Sequence, residues 1–151
     1  MNRLALLTAT VAGLTVLAVA PAGAATAPQG ATETVTSCGN LGLQAGLATR
    51  VCADVTGNTV QIYGKVSLAG PPSPGSPAPA PKDLMTSVTS EILGSGAPVT
   101  TNGRVIFTAT TIKVPGATST VPCGSTIRGT FAVASYPWTA NPVVHEVTIA
   151  C

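Results

Sequence analysis

The sequence predicts an all-β fold, an antiparallel β-sandwich of about seven or eight strands braced by two disulfides. Three observations point to it. From Val35 onward, short runs of alternating apolar and polar residues recur between Gly, Pro and Asn, the pattern of a sandwich or barrel. Thr and Ser are abundant, and the β-branched Thr suits the solvent face of a pleated sheet. Four cysteines, Cys38, Cys52, Cys123 and Cys151, follow an export-type leader, and an even number of thiols in a small exported protein is most simply two disulfides.

The leader opens with a positive charge at Arg3, continues as an apolar run from Leu4 to Ala20, and ends in the small residues Ala22-Gly23-Ala24. Residues 1–24 are therefore expected to be a signal peptide, with the mature chain starting near Ala25. The expected location is secreted and extracellular. Residues 25–34 carry a single charge and no period, and are expected to be a disordered lead-in. The remaining residues, 35–151, suffice for one domain and not for two.

Within that domain the clearest element is a hairpin from Arg50 to Leu68. Val51, Ala53 and Val55 alternate up to a turn at Thr56-Gly57-Asn58, and Val60, Ile62, Gly64, Val66 and Leu68 resume the alternation, with Thr59, Gln61, Tyr63, Lys65 and Ser67 on the wet face. Residues 70–81 are half proline. Proline lacks an amide donor and favours polyproline II, so this segment is expected to be an exposed loop inside the domain. Leu84 to Leu93 fits both a period of two and a helical face, and its Thr and Ser residues favour a strand. Val99–Thr101 and Arg104–Val114 are expected as two strands joined by a turn at Asn102-Gly103. Ser125–Ser135 and Val143–Cys151 complete the set, the latter with Val143, His145, Val147, Ile149 and Cys151 on one face.

Only five residues are aromatic (Tyr63, Phe107, Phe131, Tyr136 and Trp138), so the core is expected to be light and the disulfides to supplement it. Three pairings of four cysteines are possible. The local solution, Cys38 with Cys52 and Cys123 with Cys151, is the favoured one.

The formal net charge is +2, and the basic residues are scattered singly, which argues against nucleic acid or a polybasic membrane patch as partner. No stretch after the leader approaches the roughly 20 apolar residues of a membrane span. No CxxC spacing occurs and His145 is the only histidine, so neither a redox site, a metal site nor a cofactor is expected. The chain also lacks a GxSxG elbow and the second histidine of HExxH. His145 is expected to be a sheet-rim residue with a local hydrogen bond, and the protein not to be an enzyme.

The most usable functional signal is Ser135-Tyr136-Pro137-Trp138-Thr139-Ala140-Asn141-Pro142, which joins the last two strands. Two prolines stiffen the loop and two amphipathic aromatics, Tyr136 and Trp138, suit recognition. These two are the candidate ligand-binding residues, and the alternative role for Trp138 is a lid over the sheet end. The expected function is a monomeric, non-enzymatic binding or structural domain whose partner is an extracellular protein, a polysaccharide or a small molecule. A secreted inhibitor of a hydrolase and a small-ligand carrier are the alternatives.

In overall make-up the chain resembles small secreted actinomycete proteins of unassigned function. Locally, Gly42-Leu43-Gln44-Ala45-Gly46, followed by Cys52-Ala53-Asp54-Val55 and Thr56-Gly57, resembles the neocarzinostatin-type apoproteins. That resemblance implies an immunoglobulin-like sandwich with two disulfides rather than a closed barrel. That family shelters an enediyne chromophore, but its aromatic pocket residues have no clear counterparts here, and Cys123 and Cys151 stand farther apart than its second pair.

Overall fold

The computed structural model describes residues 33–150. The expected signal peptide, most of the expected lead-in and Cys151 lie outside the described residues. Nine strands form: β1 Thr34–Cys38, β2 Gly42–Gln44, β3 Leu47–Thr56, β4 Thr59–Leu68, β5 Lys82–Ile92, β6 Val99–Phe107, β7 Ile112–Thr120, β8 Thr126–Ala134 and β9 Val143–Thr148. No helix occurs among the described residues. The count exceeds the expected seven or eight because β1 and the three-residue β2 are separate strands along successive lengths of one edge of β3.

All pairings are antiparallel. One sheet runs β1-β3-β4-β7, with β2 also on β3, and the other runs β6-β5-β8-β9. Each sheet turns one face toward a shared core. Val51, Val60, Ile62 and Val66 come from the first sheet, and Leu84, Val88, Phe107 and Phe131 from the second. The result is a sandwich-like all-β fold. The alternation that predicted it is visible in β8, where Ile127, Gly129, Phe131 and Val133 are buried and the residues between them are not. The sheets approach closely at Gly64, where a Cβ would lie 2.3 Å from the Phe131 ring. Only glycine lets that ring lie flat on the opposite strand.

The β3–β4 hairpin forms as expected, with Val55 paired to Val60 and Thr56 to Thr59 across Gly57-Asn58. Of the ambiguous Leu84–Leu93, all but Leu93 resolves as strand, within β5, and Leu93 begins the turn that follows. The turn expected at Asn102-Gly103 does not form. Residues 99–107 are one uninterrupted strand paired along its length with β5, Gly103 opposite Thr86. An Asn-Gly dipeptide turns a chain only where the segments on either side pair with each other, and here both pair with a third strand. The expected strand Arg104–Val114 is divided as well: β6 ends at Phe107, and the chain bends near Ala109, at a φ of 69°, before it enters β7 of the other sheet at Ile112.

The Pro-rich loop, exposed throughout 70–81, carries the chain from β4 in one sheet to β5 in the other. Pro74-Gly75 turns it, with the Ser76 amide donating to the Ser73 carbonyl at 3.0 Å and Gly75 at φ 80°, the requirement of a type II turn.

One side chain ties the two sheets together through backbone groups. β9 pairs with β8 only as far as Val143 opposite Phe131. Beyond that point the buried Gln44 of β2 takes over as partner. Its Nε2 donates to the Phe131 carbonyl at 3.1 Å and its Oε1 accepts from the Val133 amide at 2.9 Å. A side-chain amide thus stands where a strand would otherwise run.

Candidate functional site

After Ala134 the chain enters a four-residue turn, Ser135 to Trp138, closed by two backbone hydrogen bonds. The Trp138 amide donates to the Ser135 carbonyl at 2.6 Å and the Ser135 amide to the Trp138 carbonyl at 3.2 Å. The Tyr136–Pro137 peptide is cis, the arrangement of a type VI turn. Ser135 is buried. Tyr136 and Trp138 both project, 95% and 61% exposed.

Beside this turn the outer face of the four-stranded sheet is concave. Strand register puts Met85 opposite both Arg104 and Ala134, and Ser87 opposite both Asn102 and Ala132. Ser87, Ala132 and Ala134 are small, so the sheet surface dips there, while Met85 and Arg104 stand up beside it. Ala140 of the β8–β9 loop closes the far side of a groove of about 580 Å³. A second concavity of about 410 Å³ involves Met85 and Arg104 again and adds Asp83, Ser135 and Tyr136. Tyr136 therefore borders this surface. Trp138 sits on the same turn but lines neither concavity.

Arg104 is fixed by Asp83, with Nε 2.8 and 2.9 Å from the two carboxylate oxygens and a further contact from Nη2 to Oδ2. The hydrogen bond from Arg104 holds the Asp83 carboxyl below the ordinary carboxylate range. Both side chains are largely in water, where an ion pair adds little stability. What the pair does is fix the direction of a cation at the groove rim.

The remaining polar groups build structure elsewhere. His145 faces inward from β9, and its Nε2 lies 2.8 Å from Ser37 Oγ on β1. A serine and a histidine at this distance have the first geometry of a nucleophile pair. Among the described residues no carboxylate forms an ion pair with the ring. The contact joins the rims of the two sheets, a longer-range tie than a local hydrogen bond.

On the outer face of the other sheet, Asp54 accepts from Thr36 at 2.7 Å, Tyr63 at 3.1 Å and Lys113 at 2.8 Å. Lys113 Nζ also lies 3.6 Å from the Tyr63 ring centroid, a cation–π contact. Burial alone would push the Asp54 carboxyl up, but the hydrogen bonds from Lys113, Thr36 and Tyr63 outweigh it and hold it below the ordinary value. Burial, and then donation to Asp54, push the Tyr63 phenol up. Tyr63, expected on the wet face, is only 5% exposed because this cluster covers it. Among the described residues no group of His, Cys, Asp and Glu is placed to hold a metal ion.

Cys38 and Cys52 are joined, as expected, across directly opposed positions of β1 and β3. Cys123 lies between β7 and β8, and its expected partner Cys151 falls outside the described residues.

The groove was not legible in the sequence. Ser87, Ala132 and Ala134 are unremarkable small residues until register sets them side by side, and Arg104 was expected to open a separate strand after a turn at Asn102-Gly103. Comparison with protein-family models, with curated proteins and with solved structures found no match to this chain.

Proposed function

We propose that this chain is a secreted, non-enzymatic binding domain that takes its ligand on the outer face of β6, β5 and β8, beside Tyr136. The observation that carries the proposal is the groove itself, whose small side chains from two strands make a floor free of charge while Arg104 and Asn102 offer directed polar groups at one rim. A concave, mostly apolar surface with a few convergent polar groups is the usual form of a ligand site. Tyr136 adds an amphipathic face next to it.

The same proposal takes the fold to be immunoglobulin-like. With β3 as strand A, the sheets read A-B-E against C′-C-F-G, and the proposed site is the outer face of the C′-C-F-G sheet. The disulfide differs from the antibody staple, because it joins neighbours within one sheet. A second disulfide, Cys123 with Cys151, belongs to the proposal and would anchor the chain's end. The Cys38–Cys52 bond suits an oxidising compartment, which supports export together with the leader's pattern.

Titration with soluble wall polysaccharide and with an apolar dye, followed by calorimetry, tests the site. Binding of either is expected to be lost in Ala132→Trp, which fills the groove, and weakened in Tyr136→Ala. Binding unaffected by Ala132→Trp would refute the location. The exposure of Tyr136 at the tip of a tight turn favours a second reading, a hydrolase inhibitor that inserts this ring into a partner's cleft. Inhibition of a secreted protease or amylase that disappears in Tyr136→Ala and persists in Ala132→Trp would select that reading.

A further inference from the structure

The edges of the two sheets are not treated alike. An unpaired strand edge invites another chain, and proteins blunt it with short strands, charge, proline or cover. One edge of the first sheet is divided between β1 and the three-residue β2, and the other, β7, carries Lys113 and Pro115 and pairs across a bulge. In the second sheet β9 is six residues long, holds Glu146, and is covered at Gly39, where a Cβ would meet His145 at 2.8 Å. Among the described residues the fourth edge, β6, is neither short, bulged nor covered, and its single charge, Arg104, is paired with Asp83 of its own chain. It runs nine residues, Val99–Phe107, without proline and with one charge, and every residue from Val99 to Arg104 is exposed. Ile106 is also exposed, at 66%.

We infer that β6 pairs with β6 of a second copy of this chain, antiparallel about a two-fold axis, to give an eight-stranded sheet across the dimer. The sequence of β6 is the ground for choosing this occupant. Such a pair must keep outer face with outer face, so only registers that match residues of like parity are allowed. The register that uses all nine residues puts the axis at Gly103. It sets Arg104 opposite Asn102 of the second copy and Thr100 opposite Ile106, and on the inner face Thr101 opposite Val105. Arg104 never faces itself, and its charge is already balanced by Asp83 of its own chain. Shifting by two residues in one direction puts Arg104 against Arg104. Shifting in the other direction leaves two residues of each strand unpaired. The contact is isologous and closes after two copies.

The pairing goes beyond the proposed ligand site and does not depend on it, although Asn102 and Arg104 belong to both. It departs from the monomer expected from sequence. One strand pair buries little surface, so the dimer is weak, with a dissociation constant in the range of roughly 10 μM to 1 mM.

Sedimentation equilibrium of the secreted protein from about 5 μM to 1 mM tests it. The mass is expected to rise toward that of two chains and to stop there. Asn102→Arg places like charges opposite one another twice per dimer and is expected to weaken association about fivefold, whereas Asn102→Asp, facing Arg104 twice, strengthens it by a similar factor. Both variants lie at an exposed position, and their melting curves check that the fold is intact. A mass that stays at one chain up to 1 mM overturns the inference, as does growth past two chains. A dimer whose strength responds to neither variant overturns the register and with it the argument for self-pairing.

Discussion

Replacing Gln44 tests whether a side-chain amide substitutes for a missing strand. In Gln44→Leu the volume is nearly kept, but the Phe131 carbonyl and the Val133 amide lose their partner inside the protein. Each unsatisfied buried backbone group costs about 1–3 kcal/mol. Thr49 Oγ1, which accepts from Gln44 at 2.9 Å, retains its own donation to the Gly42 carbonyl at 3.2 Å. The added apolar burial of leucine returns about 1 kcal/mol. The net loss is therefore about 3 kcal/mol, which for a domain of this size lowers Tm by about 12 °C. Thermal unfolding followed by circular dichroism measures it. A Tm within about 2 °C of the wild type would refute the reasoning, because the β8 groups would then have found water at no cost.

Gln44→Glu sharpens the test by giving it a pH signature. A protonated glutamic acid can donate to the Phe131 carbonyl and accept from the Val133 amide as glutamine does. The ionised form presents only acceptors and buries a charge, so the folded-state pKa lies above the ordinary value near 4.3. A group whose folded pKa is raised contributes stability fully present below the unfolded pKa and lost as pH rises through the folded one. The variant should approach wild-type stability at about pH 4 and fall behind it steadily toward neutrality. Equal stability gaps at both pH values would show that the carboxyl escapes to solvent.

Three further changes probe the remaining supports of the fold. Gly64→Ala drives a Cβ to 2.3 Å from the Phe131 ring and is expected to cost about 3 kcal/mol by overpacking; chemical denaturation reads it, and a loss under 1 kcal/mol would mean that the sheets separate easily. Replacing Cys38 and Cys52 together by alanine opens a loop with a sequence separation of 14 and is expected to cost about 3 kcal/mol in the chain-entropy account, seen as a lower denaturation midpoint; an unchanged midpoint would show that the β1–β3 ladder suffices. Asp54, held below its ordinary pKa of 3.8, contributes stability that is present above that value and lost as pH falls through the folded pKa; acid unfolding of Asp54→Asn should show a shallower limb below about pH 4, and a superimposable limb would remove Asp54 from the acid response.

How far the sequence could be read depended on whether a signal was local. Alternation in β3, β4 and β8 is local, since the face of each residue follows from its neighbours two places away. Their positions were accordingly visible without coordinates. Register is not local, and each departure traces to it. Asn102-Gly103 has the composition of a turn, yet β5 pairs with the residues on both sides of it. Tyr63 has the parity of a wet face, yet β1, β3 and β7 bring Thr36, Asp54 and Lys113 over it. Gln44 ends β2, directly before the Ala45-Gly46 turn, where nothing in sequence marks it as the amide that completes β8.

The candidate site follows the same rule, and this bears on how such sites arise. Tyr136 and Trp138 drew attention because two of the chain's five aromatics share one short loop with two prolines. The groove beside them is made of residues with no individual signal, since an alanine is a floor only when its cross-strand neighbours are also small. Ala134, Ala132 and Ser87 are such neighbours because β5 and β8 pair in one register out of several that alternation alone would allow. Gln44 holds the end of β8 at Phe131 and Val133, immediately before the turn that carries Tyr136. Loosening that clasp should therefore disturb the geometry of the site as well as the stability of the fold, and the residue that links the two is the one whose role no local pattern announces.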